Sequence, residues 1–161
     1  MTSDLPESAK RVQEFLVRRG FSFVVKELPE STRTAQEAAA IIGCSVSQIA
    51  KSLVFREGTT GAPILVIASG SNHVDVDKVE KSTGLILGKA DAKFVKKNVG
   101  YAIGGVPPVA HDQPMKAILD PDLRKYDLVW AAAGTPFTVF QLKPDDLGHL
   151  TGGDWVTLSE T

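Results

Sequence analysis

An α+β fold is predicted, with a mixed and partly barrel-like β-sheet surrounded by helices. Two patterns and one number carry that reading. Helix-patterned segments alternate with β-rich runs, yet two pairs of runs are joined as hairpins, which disfavours a purely parallel doubly wound sheet. The chain has 161 residues, 43% hydrophobic and 23% charged, close to the globular average and sized for a single domain over 1–161.

The elements follow in order. Val12, Phe15 and Leu16 have i, i+3, i+4 spacing, so a helix is expected over 6–19 with Gly20 as its stop. Residues 21–28 read as a strand. Thr34-Ala-Gln-Glu37 is a capping box, since the threonine hydroxyl can accept from the Glu37 amide while the glutamate reaches back. It opens a helix that Gly43 ends, and Ser45-Val-Ser-Gln48 is a weaker box for one further turn. Runs 50–56 and 64–69 form a hairpin across Gly58-Thr-Thr-Gly61. Helices are expected near 76–82 and 92–98, with a short strand at 85–87 between them. Strands at 101–103 and 115–119 flank a loop rich in Gly and Pro. Asp120-Pro121 has the residue types that cap and start a short helix. Runs 128–133 and 137–142 make a second hairpin, Lys143-Pro144 starts a last helix, and 155–158 is a closing strand.

Composition excludes several classes of function. Lys plus Arg number 18 against 19 Asp plus Glu, so no global basic field exists and a nucleic-acid contact needs a local patch. No apolar run approaches the ~20 residues needed to span a bilayer. The first residues carry Asp4 and Glu7 and no apolar segment of the kind a secretory signal has, so a cytoplasmic protein without a membrane partner is expected. The one cysteine, Cys44, has no internal disulfide partner and reads as a packed, idle thiol. His73, His111 and His149 stand far apart, so neither a metal nor another cofactor is expected. Phosphate-binding glycine loops and a nucleophilic serine elbow are also missing.

Three features remain. Lys51 lies in Ile49-Ala-Lys-Ser-Leu-Val-Phe55, where period-2 alternation puts it on one strand face with Ile49, Leu53 and Phe55. A charge there needs a cavity, water or an anion, or must snorkel from the strand end. Gly104-Gly105-Val106-Pro107-Pro108 pairs glycines that permit close backbone approach with prolines that stiffen the loop. Ala133-Gly134-Thr135-Pro136 is a small-residue turn between two apolar strands. Each feature also has a plain structural explanation.

Taken together and in order, Thr34-Ala-Gln-Glu-Ala-Ala39, Ile49-Ala-Lys-Ser-Leu-Val-Phe55, residues 104–108 and 133–136 with Phe137-Thr-Val-Phe140 resemble the YbaK / prolyl-tRNA-synthetase-associated editing domain family, over about residues 20–158. That resemblance implies a trans-editing aminoacyl-tRNA deacylase, hydrolysing the ester of a mischarged tRNA of the Cys-tRNA(Pro) or Ala-tRNA(Pro) type, with no cofactor and no DNA partner. Prolyl-tRNA synthetase is the implied protein partner. Lys51 is then the hallmark catalytic residue. Ser52, Gly104, Gly105, Val106, Pro107 and Pro108 hold substrate, and Gly134, Thr135 and Pro136 help to shape the pocket. An activated ester needs positioning and oxyanion stabilisation more than a strong nucleophile. The amides around Gly104 and Gly105 are expected to hold the carbonyl, Lys51 the tRNA terminus, and water or a substrate-borne group to attack. Lys89, Lys93, Lys96 and Lys97 form a weaker candidate tRNA patch. The rival reading is a non-catalytic module that binds an aminoacyl-tRNA, a synthetase or a nucleotide, which the missing acid–base pair favours.

Overall fold

Around one mixed sheet, the computed structural model arranges five helices and eight strands within residues 5–160, the residues it describes. Helices α1 (Glu7–Arg18), α2 (Ala35–Ile42), α3 (Val76–Thr83), α4 (Ala92–Val99) and α5 (Pro144–Thr151) separate the strands. These are β1 (Lys26–Glu27), β2 (Ile49–Glu57), β3 (Pro63–Ser69), β4 (Leu87–Gly88), β5 (Lys116–Leu119), β6 (Val129–Ala132), β7 (Thr138–Leu142) and β8 (Asp154–Trp155). The sheet runs β1-β7-β6-β2-β3-β5-β8, with β4 pairing the far end of β2. Both expected hairpins form: β2 and β3 pair antiparallel from Ala50↔Ser69 to Arg56↔Pro63, and β6 pairs β7 the same way. Parallel contacts of β2 with β6 and of β3 with β5 join the two halves.

The central strand explains why its sequence does not alternate. Leu65 and Ile67 of β3 pack into the main core with Val12 and Leu16 of α1 and Val95 and Val99 of α4. Ile64, Val66 and Ala68 face a second cluster with Val79 of α3, Ile118 and Leu158. A strand covered on both faces reads as a continuous apolar run. A third cluster seats Ala38 and Ala39 of α2 on Ile49, with Cys44 packed beside them. Burial raises the pKa of that thiol, as an idle packed cysteine requires. Thr34 caps α2 as read, its Oγ1 accepting from the Glu37 amide at 3.1 Å, but the Glu37 carboxylate reaches back to the Thr34 hydroxyl rather than to its backbone amide.

Four strands differ from expectation by more than one residue at an end, and two of those differences have a physical cause in the structure. Residues 21–28 yield only a two-residue strand, because Gln13 of α1 takes over the backbone before it. Its amide donates to the Phe23 carbonyl and its Oε1 accepts from the Val25 amide, both at 2.8 Å. Residues 101–103 form no strand. Tyr101 is instead buried to 1%, its hydroxyl donating to the Ala110 carbonyl, while the Gly105 amide closes a turn onto Ala102. The strands expected at 85–87 and 155–158 are displaced to 87–88 and 154–155, with Val74 bridging Ser159 beyond the second.

The loop at 104–108 is braced from behind. His111 Nε2 lies 2.7 Å from the Pro107 carbonyl and so must donate, and its ring meets Tyr101 edge-on. Arg11, paired to Asp112 at 2.7 Å, stacks over the same tyrosine ring. Burial pushes the Tyr101 phenol up to about 12, and burial also pulls the His111 imidazole below its ordinary value, with the Pro107 carbonyl opposing. A histidine whose folded pKa is depressed contributes stability in full above its unfolded pKa of ~6.5, and that stability is lost as pH falls through the folded value. His111→Gln is therefore expected to lower Tm by ~2–4 °C at pH 7.5, the scale of one ~1 kcal/mol hydrogen bond in a domain of this size. The gap between variant and wild type should close as pH is lowered towards 5. Calorimetry across that range checks it, and a pH-independent gap would refute it.

Candidate functional site

The site begins with the turn that follows β3. Asp120, 1% exposed at the end of β5, accepts from the Ser69 amide at 3.0 Å and from Asn72 Nδ2 at 2.8 Å through one oxygen. Its other oxygen caps the next turn by accepting from the Asp122 amide. Asn72 also donates to Asp122, which is the first of the causes holding that carboxyl below its usual range. So fastened, the turn presents two main-chain carbonyls to Lys51. Its Nζ donates to the Asn72 oxygen at 2.7 Å and more weakly to the Gly70 oxygen at 3.4 Å.

Lys51 is half-buried on β2, on the face that carries Ile49, Leu53 and Phe55, as the alternation predicts. Those neighbours belong to two different apolar clusters, Ile49 to the one under α2 and the other two to the one under α3. Burial pulls the Lys51 pKa down and the Asp120 charge opposes that. An ammonium has three protons, and two are committed to carbonyls, which leaves one for a ligand.

Beside it opens a cavity of about 350 Å³ lined by Thr32, Arg33, Thr34, Lys51, Ser52, His73, Ile103, Gly104, Val106 and Trp130, among others. No carboxylate is among the lining residues, and two cations are. A second, mostly apolar cavity of about 270 Å³ shares Ser52, Leu53, Ile103, Gly104 and Val106 with it and adds Val54, Phe55, Lys89 and Val95. The Ser52 hydroxyl is buried with no hydrogen-bond partner among the described residues, a state that costs ~1–3 kcal/mol if nothing fills it.

The residues singled out from sequence are brought together only in part. Lys51, Ser52, Gly104 and Val106 line the cavity. Gly105 does not; its amide is spent on Ala102, and its Cα lies so close to Thr135 that a Cβ would stand 2.7 Å from the Thr135 Cα. The amides of Gly104 and Val106 make no hydrogen bond among the described residues, so these two, rather than Gly104 and Gly105, are the unpaired donors of the loop. Pro107 faces back to His111, and Pro108 lines a separate cavity behind the loop. Gly134, Thr135 and Pro136 act one layer out. The Gly134 amide donates to the Gly105 carbonyl, Thr135 underlies Gly105, and the Pro136 carbonyl accepts from both the amide and the hydroxyl of Thr32 on the cavity wall. Lys93, Lys96 and Lys97 are exposed on α4, whose Val95 lines the second cavity, and Lys89 lies on that cavity's rim.

Sequence reasoning missed Arg33, Asn72, His73, Asp120 and Trp130. Arg33 lays its stem against Gly104, which has φ +93°; a Cβ there would stand 3.3 Å from the Arg33 Cγ. Lys26 holds its ammonium over the Trp130 ring at 5.4 Å, adding a third cation near the cavity wall. The nearest signal in the sequence was Asp120-Pro121, which reads as a cap and gives no hint of Ser69 and Asn72.

A mixed sheet with a basic, carboxylate-free cavity beside a half-buried lysine defines a class of small domain suited to an anionic or ester-bearing ligand. The chain belongs to the aminoacyl-tRNA editing domain family, which residues 29–150 match. It is 34% identical over 129 residues to the uncharacterised protein YwhH of Bacillus subtilis, covering 79% of this chain and 80% of that one. A candidate Cys-tRNA(Pro)/Cys-tRNA(Cys) deacylase of Enterococcus faecalis, EbsC, is 24% identical over 131 residues, 81% of this chain and 79% of its own. Among solved structures, a candidate trans-editing enzyme for prolyl-tRNA synthetase superposes with a TM-score of 0.91 at 46% identity, covering 98% of this chain and 100% of that one. The hypothetical protein APE2540 gives 0.86 at 29% identity over 93% and 99%.

The glycine geometry separates two kinds of damage. At φ +93° any side chain at position 104 is strained, so Gly104→Val is expected to lower stability as well as activity, and a melting temperature left unaltered is not expected. Gly104→Ala should cost ~1–2 kcal/mol, because the Arg33 stem can move. Gly105→Ala should cost more, because the atoms it meets are Thr135 backbone. Urea unfolding of the two alanine variants checks the order, and the reverse order would contradict it.

Proposed function

We propose that this protein is a trans-editing aminoacyl-tRNA deacylase that cleaves the ester of a mischarged tRNA(Pro), carrying Cys or Ala, in the cytoplasm and alongside prolyl-tRNA synthetase. The observation that carries the reading is the Lys51 ammonium, held by two carbonyls, on a cavity free of carboxylates that Gly104 and Val106, with their unpaired amides, also line. Family membership and the names of the two relatives that mention deacylation or trans-editing support it.

Each residue has a task in this mechanism. Lys51, protonated, meets the terminal phosphate or ribose of the tRNA, and Arg33 adds a second cation on the same wall. The Gly104 and Val106 amides receive the carbonyl oxygen as it becomes tetrahedral, the contact that matters most in acyl transfer. Attack comes from water or from a group of the substrate, since the cavity wall offers no carboxylate to act as base. Loop 104–108, stiffened by two prolines and fastened by His111, keeps the donors in place without reorganisation.

Single-turnover hydrolysis of a panel of mischarged tRNAs tests the proposal against the rival binding module, which would hold the same tRNAs without cleaving them. Lys51→Ala is expected to lose at least ~10²-fold in deacylation, the scale of one preorganised electrostatic contact. Lys51→Arg should restore only part of that, because a planar fork cannot occupy the place of a compact ammonium. Full activity in Lys51→Ala would rule the mechanism out. For the tRNA body, Lys93→Ala with Lys96→Ala should weaken binding and reduce the slope of log K against log salt by ~1–2, one for each phosphate contact removed. An unchanged slope would remove the α4 lysines from the interface.

A further inference from the structure

The pairing of β2 has a gap on one edge, and the register locates it. The Gly70 amide donates to the Ile49 carbonyl, and the Glu57 amide donates to the Ala62 carbonyl, at the two ends of one antiparallel register with β3. Hydrogen bonds in such a ladder alternate, so the odd-numbered residues of β2 direct their N–H and C=O groups to β3 and the even-numbered ones to the opposite edge. On that opposite edge, the ladder with β6 ends at Ala50↔Ala131, and the ladder with β4 begins at Arg56↔Gly88. Ser52 and Val54 therefore turn four main-chain polar groups towards a side where no strand lies. Unpaired backbone groups of this kind are ready to bind an extended ligand.

The space facing that gap is where the two cavities meet. Both are lined by Ser52 and Leu53 on one side and by Ile103, Gly104 and Val106 on the other. The unpartnered Ser52 hydroxyl marks the same spot. Buried polar groups without partners are rare unless a ligand completes them. What is missing is a small group that both donates and accepts, placed in the space that Ser52 shares with Gly104 and Val106. Because the nearby charged lining groups are cationic and no carboxylate lines either cavity, a group demanding a counter-anion does not fit. A primary amine in its neutral form does, donating to a carbonyl and accepting from an amide.

We propose that the free edge of β2 at Ser52 and Val54 binds the α-amino group of the aminoacyl ester, so that the site requires an unblocked α-amine. This rests on the deacylase reading above and names a determinant of substrate recognition within it. The recognising groups are main-chain ones, which makes the requirement indifferent to the amino-acid side chain; that side chain lies beyond, towards Phe55, Val95 and Val106 in the apolar cavity.

Modified substrates provide the test, with the wild-type protein throughout. Alanyl-tRNA(Pro) and cysteinyl-tRNA(Pro) are compared with N-acetyl-alanyl-tRNA(Pro) and with propionyl-tRNA(Pro), each enzymatic rate divided by the enzyme-free rate of the same ester. Loss of ~10²-fold or more with both altered esters is expected, since a site built to hydrogen-bond a substrate amine rejects the propionyl ester, which has no N–H, and the acetylated one, whose amide nitrogen can no longer accept. Propionyl is smaller than alanyl, so its rejection cannot come from bulk. Hydrolysis of the propionyl ester at the alanyl rate would overturn the proposal while leaving deacylation intact, whatever the acetylated ester does. Hydrolysis of neither parent ester would overturn the deacylase reading, and this proposal with it.

Discussion

Asp120 is almost wholly buried, and an ionised carboxylate in that position is costly unless donors fill its lone pairs. The Ser69 amide, the Asn72 side chain and the Asp122 amide do so, tying together the end of β3, the turn after it and the start of the next turn. The arrangement has a consequence one step further out. With Asn72 pinned by its side chain, its carbonyl has a fixed position, and that carbonyl is the nearer of the two that hold the Lys51 ammonium. Parallel pairing of β3 with β5 is what carries Asp120 to this place, since the ladder ends at Ile67↔Leu119 and the Asp120 amide continues it onto the Ile67 carbonyl. The cation of the site is thus aimed by a carboxylate that does not line its cavity.

That dependence also explains what could be read from the sequence. Lys51 was visible because a period-2 strand places it among Ile49, Leu53 and Phe55, and local alternation is enough to reveal the conflict. The helices at 76–83 and 92–99, the two hairpins and the Thr34 cap were legible for the same reason, each resting on neighbours a few residues apart. The Asp120–Asn72 bond spans 48 residues and depends on which strands pair in parallel, which no local pattern encodes. Arg33 meets Gly104 through a similarly remote approach. Residues 21–25 misled because their β-branched and aromatic content is real, but a glutamine from α1 satisfies their backbone in place of a strand. Tyr101 misled likewise: its ring is a core residue, and its hydroxyl serves the loop behind the site. The turn at 134–136 reads as part of the pocket and instead supports it, holding Thr32 and Gly105 from outside.

The two faces of β2 divide the work of the site. Its odd-numbered positions bring the Lys51 side chain to the cavity, and its even-numbered positions turn unpaired main chain to the same space. A lysine on a fully paired central strand would have only side-chain chemistry around it. Here β6 stops early and β4 starts late, so a strand in the middle of the sheet keeps a stretch of edge, and residues 103–106 cover it without filling its hydrogen bonds. Covering protects the edge from pairing with another chain, the usual hazard of exposed strand groups.

Cations without a carboxylate stabilise negative charge but remove no proton. A cavity of that composition suits a substrate whose bond is already activated and whose barrier lies in charge development and placement. An ester to a ribose hydroxyl is such a bond; an amide is not. The same composition bears on the state in which the substrate's amine enters. Beside Lys51 and Arg33 an ammonium would be repelled, whereas its neutral form loses nothing by approaching and can use both polarities of a free strand edge. For Lys51 itself, burial pulls the pKa down and the Asp120 carboxylate opposes that, while two fixed carbonyls accept from its ammonium. The carboxylate that opposes the fall in the Lys51 pKa is thus a single buried one on the far side of Asn72, outside the cavity that the ammonium faces.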